Sequence, residues 1–243
     1  AAGKNHVVKN TNFDNLYYAP RDIADKINSW LDGKLFLYNN NYKNRWKQLF
    51  SDIQELVEKQ DCKLIVLDNL MALNISDFDG AKNEQQSQFI NELKDYSKQK
   101  NIHVILVCHP RKQDGFLRKE SISGTADLTN LCDNLFILHR VGRDFRSRAT
   151  EFFGEAEVQR LLNFDTVVEV CKNRMLGVQD YLVGMYYENE SRRLKNEISE
   201  HIIYSWEEHP QQTSVFTQNS YGVDEDPFEK PDFFTQSEED APF

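Results

Sequence analysis

Four groups of residues in this chain have types and spacings suited to handling phosphates. The apolar run LIVL, residues 64–67, ends in Asp68 and Asn69. A carboxylate at the end of such a strand suits a magnesium ion that keeps its waters and binds nucleotide phosphates. A second run, VILVC, ends in His109 and Pro110. An imidazole there can donate to a terminal phosphate and register its loss. Next comes RKQDGFLRK, in which Arg111, Lys112, Arg118 and Lys119 flank Gly115. A basic loop at a strand's carboxyl end suits contact with a phosphate backbone. The fourth group, CKNR, spaces Lys172 and Arg174 two apart, so that both project from one face of a strand. Cations placed in that way can neutralise charge on a transferring phosphoryl group. Each group also has a plain alternative. These are a capping aspartate, a surface histidine before a proline turn, a solvated charged loop, and an edge-strand ion pair with neighbours such as Glu169.

The elements that must position these residues can be read from periodicity. RDIADKINSW, after Pro20, reads as a short helix. LFLYNN, residues 35–40, reads as a strand. Trp46, Leu49, Phe50, Ile53, Leu56 and Val57 recur at 3–4 spacing, which predicts an amphipathic helix over 44–60. KLIVLDNL is continuously apolar, the pattern of a strand covered on both faces. A helix is expected over 83–100, a strand over 103–110, a short helix over 125–131 and a strand over NLFILHR. The charged segment 143–163 reads as helical in its second half, with Arg143, Arg146 and Arg148 in solvent. DTVVEVCKNR and YLVGMYYENESRRL read as strands, the last antiparallel at an edge. This alternation predicts an α/β fold, with a mostly parallel sheet flanked by helices on both faces. Ligands of such sheets sit at the carboxyl ends of the strands, where Asp68, His109, Lys172 and Arg174 fall.

The totals suit one domain with a tail: 243 residues, 40% hydrophobic and 28% charged. No apolar run approaches the ~18 residues of a membrane span, and no leader pattern is present, so no membrane role is expected. Cys62, Cys108, Cys132 and Cys171 form no CxxC pair and read as buried free thiols. The net charge is −10, of which residues 224–243 carry −7 through eight acidic residues and one lysine. The other residues are therefore only mildly acidic, which leaves room for a local basic surface. Residues 209–243 lack the means to build a core and are expected to be disordered. They end in EEDAPF, similar to the acidic tip of bacterial single-stranded DNA-binding proteins. That likeness implies that Pro242 and Phe243 recruit a polymerase or another replisome protein.

Taken in order, LIVLDN, VILVCHPRK, SGTADLTNLCDNLFILHR and EVCKNRMLG resemble the RecA-like motor domain of hexameric, DnaB-like replicative DNA helicases. The closest flavour is the phage primase–helicase and mitochondrial Twinkle-like branch, over roughly residues 36–206. The resemblance implies a RecA-like P-loop NTPase core over residues 1–208, with antiparallel strands at its C-terminal edge. It implies an ATP-dependent DNA helicase that uses ATP or another NTP with Mg2+. Asp68 would be the Walker B carboxylate, with Asn69 beside the nucleotide, and His109 the phosphate sensor. Arg111, Lys112, Arg118, Lys119 and the turn Ser123-Gly124-Thr125 would face single-stranded DNA. Lys172 and Arg174 would reach a neighbouring subunit's ATP in a ring-shaped homo-oligomer, a hexamer by the resemblance. Asp133 matches an acidic position to which no catalytic role is assigned. The implied setting is the cytoplasm of a bacterium or phage-infected host.

The departure from the family is the phosphate loop. GxxxxGK[ST] occurs nowhere, and Gly3-Lys4 is followed by Asn5. The chain opens at Ala1 on a polar stretch, as though inside a domain, and alone it is expected to bind ATP poorly and to be inactive. Two other readings stand beside the motor. One is a RecA-like recombination or repair ATPase. The other is a non-hydrolysing DNA-binding or adaptor module that recruits partners through its tail.

Overall fold

The structure is a computed structural model that describes residues 2–13, 16–39, 45–110, 116–124, 126–200 and 202–207. The tail, with Pro242 and Phe243, lies outside the described residues, as do Arg111, Lys112 and Thr125. Two short strands open the chain, β1 (Val8–Lys9) and β2 (Tyr17–Tyr18), paired antiparallel. Helix α1 (Arg21–Leu31) begins after Pro20, whose fixed φ suits a helix start. Residues 35–39 form no strand, and Leu37 is almost wholly exposed. An apolar tetrad alone does not make a strand without a partner edge to receive its backbone bonds.

Helix α2 (Trp46–Gln60), strand β3 (Leu64–Asp68), helix α3 (Lys82–Lys100) and strand β4 (His103–Val107) form one packed unit. The backbone N–H of Trp46 donates to Asn74 O at 2.8 Å and its indole to Glu92 at 2.5 Å, which fixes the start of α2 against α3. The Trp46 ring meets Phe89 edge-on, and Phe50 meets Tyr96 likewise. Buried Phe89, Ile90, Leu93 and Tyr96 lie along one stripe of α3, at the spacing that an amphipathic helix presents to a core. Asp61 and Asn101, both in the left-handed region, end α2 and α3 and turn the chain into β3 and β4.

β3 and β4 pair in parallel, with Leu64 opposite His103 and Asp68 opposite Val107. Ile65 and Leu67 enter the core, while Leu64 and Val66 are each 55% exposed. Ile105 of β4 is exposed too. The expectation of cover on both faces is therefore corrected: helices α2 and α3 cover one face. The apolar run of β3 reads the same whether one face or two are covered, so only packing distinguishes the cases.

Short helix α4 (Asp127–Leu131) precedes a four-stranded sheet in the order β5 (Asn134–Arg140), β6 (Thr166–Asn173), β7 (Tyr181–Glu188), β8 (Arg193–Lys195). Every pairing in it is antiparallel. A mostly parallel sheet is thus corrected: among the described residues there is one parallel pair, β3–β4, and the antiparallel strands expected at the C-terminal edge form a separate sheet that includes β5. The cause lies between β5 and β6. Segment 143–163 holds two helices, α5 (Phe145–Phe153) and α6 (Glu155–Leu161), broken at Gly154, which takes φ 80°. A single crossover helix returns the chain to the starting edge and yields a parallel strand. A helical hairpin returns it to the end it left. Accordingly, Val141 N–H bonds Asp165 O at 2.9 Å, and Arg140 lies opposite Thr166. Phe145, Ala149, Val158 and Leu161 of the hairpin pack on Val167 and Leu182 of the sheet.

Candidate functional site

Asp68 is the last residue of β3, and its side chain points into solvent. Among the described residues its carboxylate has no ion-pair or hydrogen-bond partner. Asn69 follows and starts a 3₁₀ turn over Leu70–Ala72, its Oδ1 accepting from Met71 N–H at 2.9 Å. With Oδ1 committed there, the amide Nδ2 faces His109 Nε2 at 2.9 Å. An amide nitrogen only donates, so Nε2 of His109 accepts, and in a neutral ring the proton sits on Nδ1. The structure therefore joins three of the sequence-predicted residues at the carboxyl ends of the two parallel strands. Asn69 fixes the imidazole, and Nδ1–H is the donor left for a ligand.

This arrangement fits a magnesium nucleotide in one respect that can be tested. Mg2+ is usually held by one or two carboxylates, several waters and the substrate's own phosphates, rather than by a full protein cage. Asp68 offers one unengaged carboxylate, and among the described residues no group of three or more His, Cys, Asp or Glu could hold a metal. When bound, such an ion would polarise the phosphoryl group, with Asp68 as its protein ligand and Nδ1–H of His109 as a nearby donor.

The basic loop leaves from the same place and returns to it. Pro110 forms an isolated antiparallel bridge with Ile122, and Ser123 N–H donates to His109 O at 3.2 Å. Ser123 and Gly124 thus sit next to the histidine. Lys119 is exposed, with the Glu120 carboxylate 3.9 Å from its ammonium. Arg118 differs from Lys119. Its guanidinium donates to Glu169 at 2.7 Å and to Asp180 at 2.9 Å, and it lies over the rings of Phe152 and Phe153. That cation is already spent inside the chain.

Glu169, on β6, is 0% exposed and also meets His139 Nε2 at 2.7 Å. Phe116 stacks on the His139 ring at 4.3 Å. This buried cluster is the part that sequence reasoning missed. Its members come from β5, β6 and the loop, 30 and 51 residues apart, and only the alternation of β6, which points Glu169 inward with Val167 and Cys171, could have signalled it. Burial beside that carboxylate also pushes the Cys171 thiol up to about 12, with desolvation the larger cause.

Lys172 and Arg174 do converge, but on this chain. Lys172 Nζ donates to Thr129 O at 3.0 Å and Asn130 O at 2.9 Å; Arg174 donates to Asn130 O at 3.1 Å and to Asp133 at 2.9 Å. Lys94 from α3 adds a bond to Leu131 O at 2.7 Å. Three cations thus cap the carboxyl end of α4, where orphan carbonyls and the helix dipole attract them. Asp133 is part of this cap. The Arg174 side chain remains 47% exposed.

Residues 21–115 match the family of AAA domains. The match runs from α1 to β4, so it contains Asp68, Asn69 and His109 and stops short of Arg118, Lys172 and Arg174. It indicates an ATPase-type, nucleotide-binding domain, and the mixed α/β architecture agrees with that. None of the curated proteins matches this chain. Among the described residues, no helix is long and apolar enough to cross a membrane.

Proposed function

We propose that this chain carries the carboxylate side of an ATP-hydrolysing site in a RecA-like replicative DNA helicase, a ring of identical subunits that pulls single-stranded DNA. The observation that carries this reading is the Asp68–Asn69–His109 group at the carboxyl ends of a parallel strand pair, within the segment that matches an AAA domain. In this reading Asp68 holds Mg2+ and His109 senses the terminal phosphate. The loop clamped to His109 at Ser123 carries nucleotide state to DNA through Lys119, Ser123, Gly124 and the loop residues Arg111, Lys112 and Thr125. Arg118 serves as the loop's anchor. Backbone N–H groups of a phosphate loop do most of the nucleotide binding in such sites. The outer edges of β3 and β4 and one edge of β5 have no strand partner among the described residues, and Leu64, Val66 and Ile105 leave apolar surface exposed on the β3–β4 pair. Pro242 and Phe243 recruit a replisome protein, and the setting is the cytoplasm.

The test is DNA-stimulated ATP hydrolysis by the protein with any native flanking sequence. Asp68→Asn is expected to lower turnover on the order of 10²–10³-fold, with single-stranded DNA binding retained. Unchanged turnover sinks the reading. Arg174→Ala separates a second reading, a DNA-binding module in which the CKNR cations only hold α4. If Arg174 reaches a neighbour's ATP, the variant loses hydrolysis and keeps nucleotide binding. If it is only a cap, hydrolysis survives and the melting temperature falls.

A further inference from the structure

A cavity of about 520 Å³ opens beside the basic loop, and Asp68 is not among the residues that line it. Lys119 and Gly124 from the loop, Asn130 from α4, Leu135 from β5, and Cys171 and Lys172 from β6 line it. Its size falls within the ~300–1,000 Å³ range of small-ligand sites. Two features show how it is built. First, β5 and β6 slip register between Leu135 and Phe136, so that Leu135 faces Lys172 while Phe136 faces Val170. Cys171 is the extra residue of this bulge. Neighbours on a strand normally point to opposite faces, and a bulge re-aims them; here Cys171 and Lys172 both line the cavity. Second, the Lys172 ammonium is pinned by two carbonyls of α4, which leaves its third proton for a ligand.

The lining is divided by chemistry. Ile122, Leu135 and Cys171 give an apolar floor, and Cys171 stays a neutral thiol there. The amides of Asn130 and Gln179 offer donors and acceptors. Lys119 and Lys172 supply two positive charges against the single carboxylate of Glu120. A flat polar-edged ring with an attached phosphate matches all three parts.

We propose that this cavity takes one nucleotide unit of single-stranded nucleic acid, its base on the Ile122–Leu135 floor and its phosphate between Lys119 and Lys172. This rests on the reading that the loop faces a single strand. It adds that the contact includes a base, where phosphates alone would suffice to grip a backbone.

The experiment is fluorescence anisotropy at low salt with the full 243-residue chain and two 12-mers, oligo(dT) and an abasic phosphodiester of equal charge. Oligo(dT) is expected to bind on the order of 10-fold tighter, as burying one base predicts. Ala126→Phe, which fills the cavity from an exposed position, should remove that preference, and Gln179→Leu, at the other wall, should reduce it. Circular dichroism establishes that each variant is folded. Equal affinity for both strands, or a preference that survives both variants, overturns the pocket and leaves the DNA-facing loop standing. Failure of the chain to bind either strand overturns both. If dTMP binds the wild-type chain more tightly than oligo(dT), the occupant is a free nucleotide and the strand assignment falls.

Discussion

Asp68 and Glu169 are both strand carboxylates with a histidine close by. Asp68 stands at a strand end, in water, next to the Asn69–His109 pair, and nothing described neutralises it. Glu169 stands in mid-strand with no exposed surface, and its two oxygens are divided between Arg118 and His139. A buried charge is tolerated only when partners replace its lost hydration. Glu169 therefore reads as architecture: it ties the root of the basic loop to the sheet. Asp68 has its capacity to bind a cation left unused by the fold, which is why the proposed function places the magnesium ion there. Ionisable residues near histidines thus divide here by burial and engagement, and not by residue type.

The comparison breaks most sharply on removal of each carboxylate. Glu169→Ala leaves Arg118 and His139 facing an empty, dry site and is expected to cost ~3–5 kcal/mol in denaturant unfolding. Asp68→Ala, at an exposed position with no partner, should stay within ~0.5 kcal/mol of wild type. Equal costs would mean that the two sites have been misassigned.

The same contrast can be drawn inside β3. Leu67 is 6% exposed and Val66 is 55% exposed. Leu67→Ala should destabilise by ~2–5 kcal/mol, and Val66→Ala by no more than ~0.5 kcal/mol. A large loss at Val66 in a urea titration would show that the second face of the strand is covered in solution. Burial of Val66 only when ligand or partner is added would identify what covers it.

These two regions also mark how far the sequence could be read. The strands ending in Asp68 and His109, and the helices α2 and α3 that carry them, follow from apolar runs and 3–4 spacing within single segments. Their local order therefore put Asp68, Asn69 and His109 at one edge before any packing was known. The antiparallel strands expected at the C-terminal edge are there, but the antiparallel pairing extends one strand further, to β5 and β6, because one residue, Gly154, splits the β5–β6 crossover into a helical hairpin. A glycine after Phe152 and Phe153 gives little sign of that on its own. The engagement of Arg118 with Glu169 could not be read at all, since it depends on segments 51 residues apart meeting across a sheet. In the same way, the spacing of Lys172 and Arg174 was legible, but their shared target, the end of α4, is set by tertiary packing.

A smaller effect sharpens the role of Asn69. Asn69→Ala removes the cap on Met71 N–H and the donor to His109 Nε2 together. The expected cost is about 1 kcal/mol of stability. More telling is the imidazole itself. In wild type, ¹⁵N shifts of His109 should report the neutral ring protonated on Nδ1, and in the variant a mixture of tautomers. A wild-type ring already mixed would remove Asn69 from the site.

The smallest expected change is a slope at alkaline pH. Burial pushes the Cys108 thiol up to about 11, with Cys132 a lesser cause, and the Cys171 thiol up to about 12, with Glu169 a lesser cause. In the unfolded chain both thiols ionise from near 9. Between about pH 9 and 11 the folded state therefore holds more protons than the unfolded one, so stability falls as pH rises. Below pH 8 these two groups contribute no slope. Cys171 is a buried residue of β6 two positions from Glu169, and Cys108 stands one residue before His109 at the open end. Cys108→Ala and Cys171→Ala should each flatten the decline in the denaturation midpoint between pH 9 and 11, and Cys171→Ala should do so more, because its folded-state value lies further from the unfolded one. The reverse order would place the drier environment at the Asp68 end of the molecule and invert the contrast between the two carboxylates.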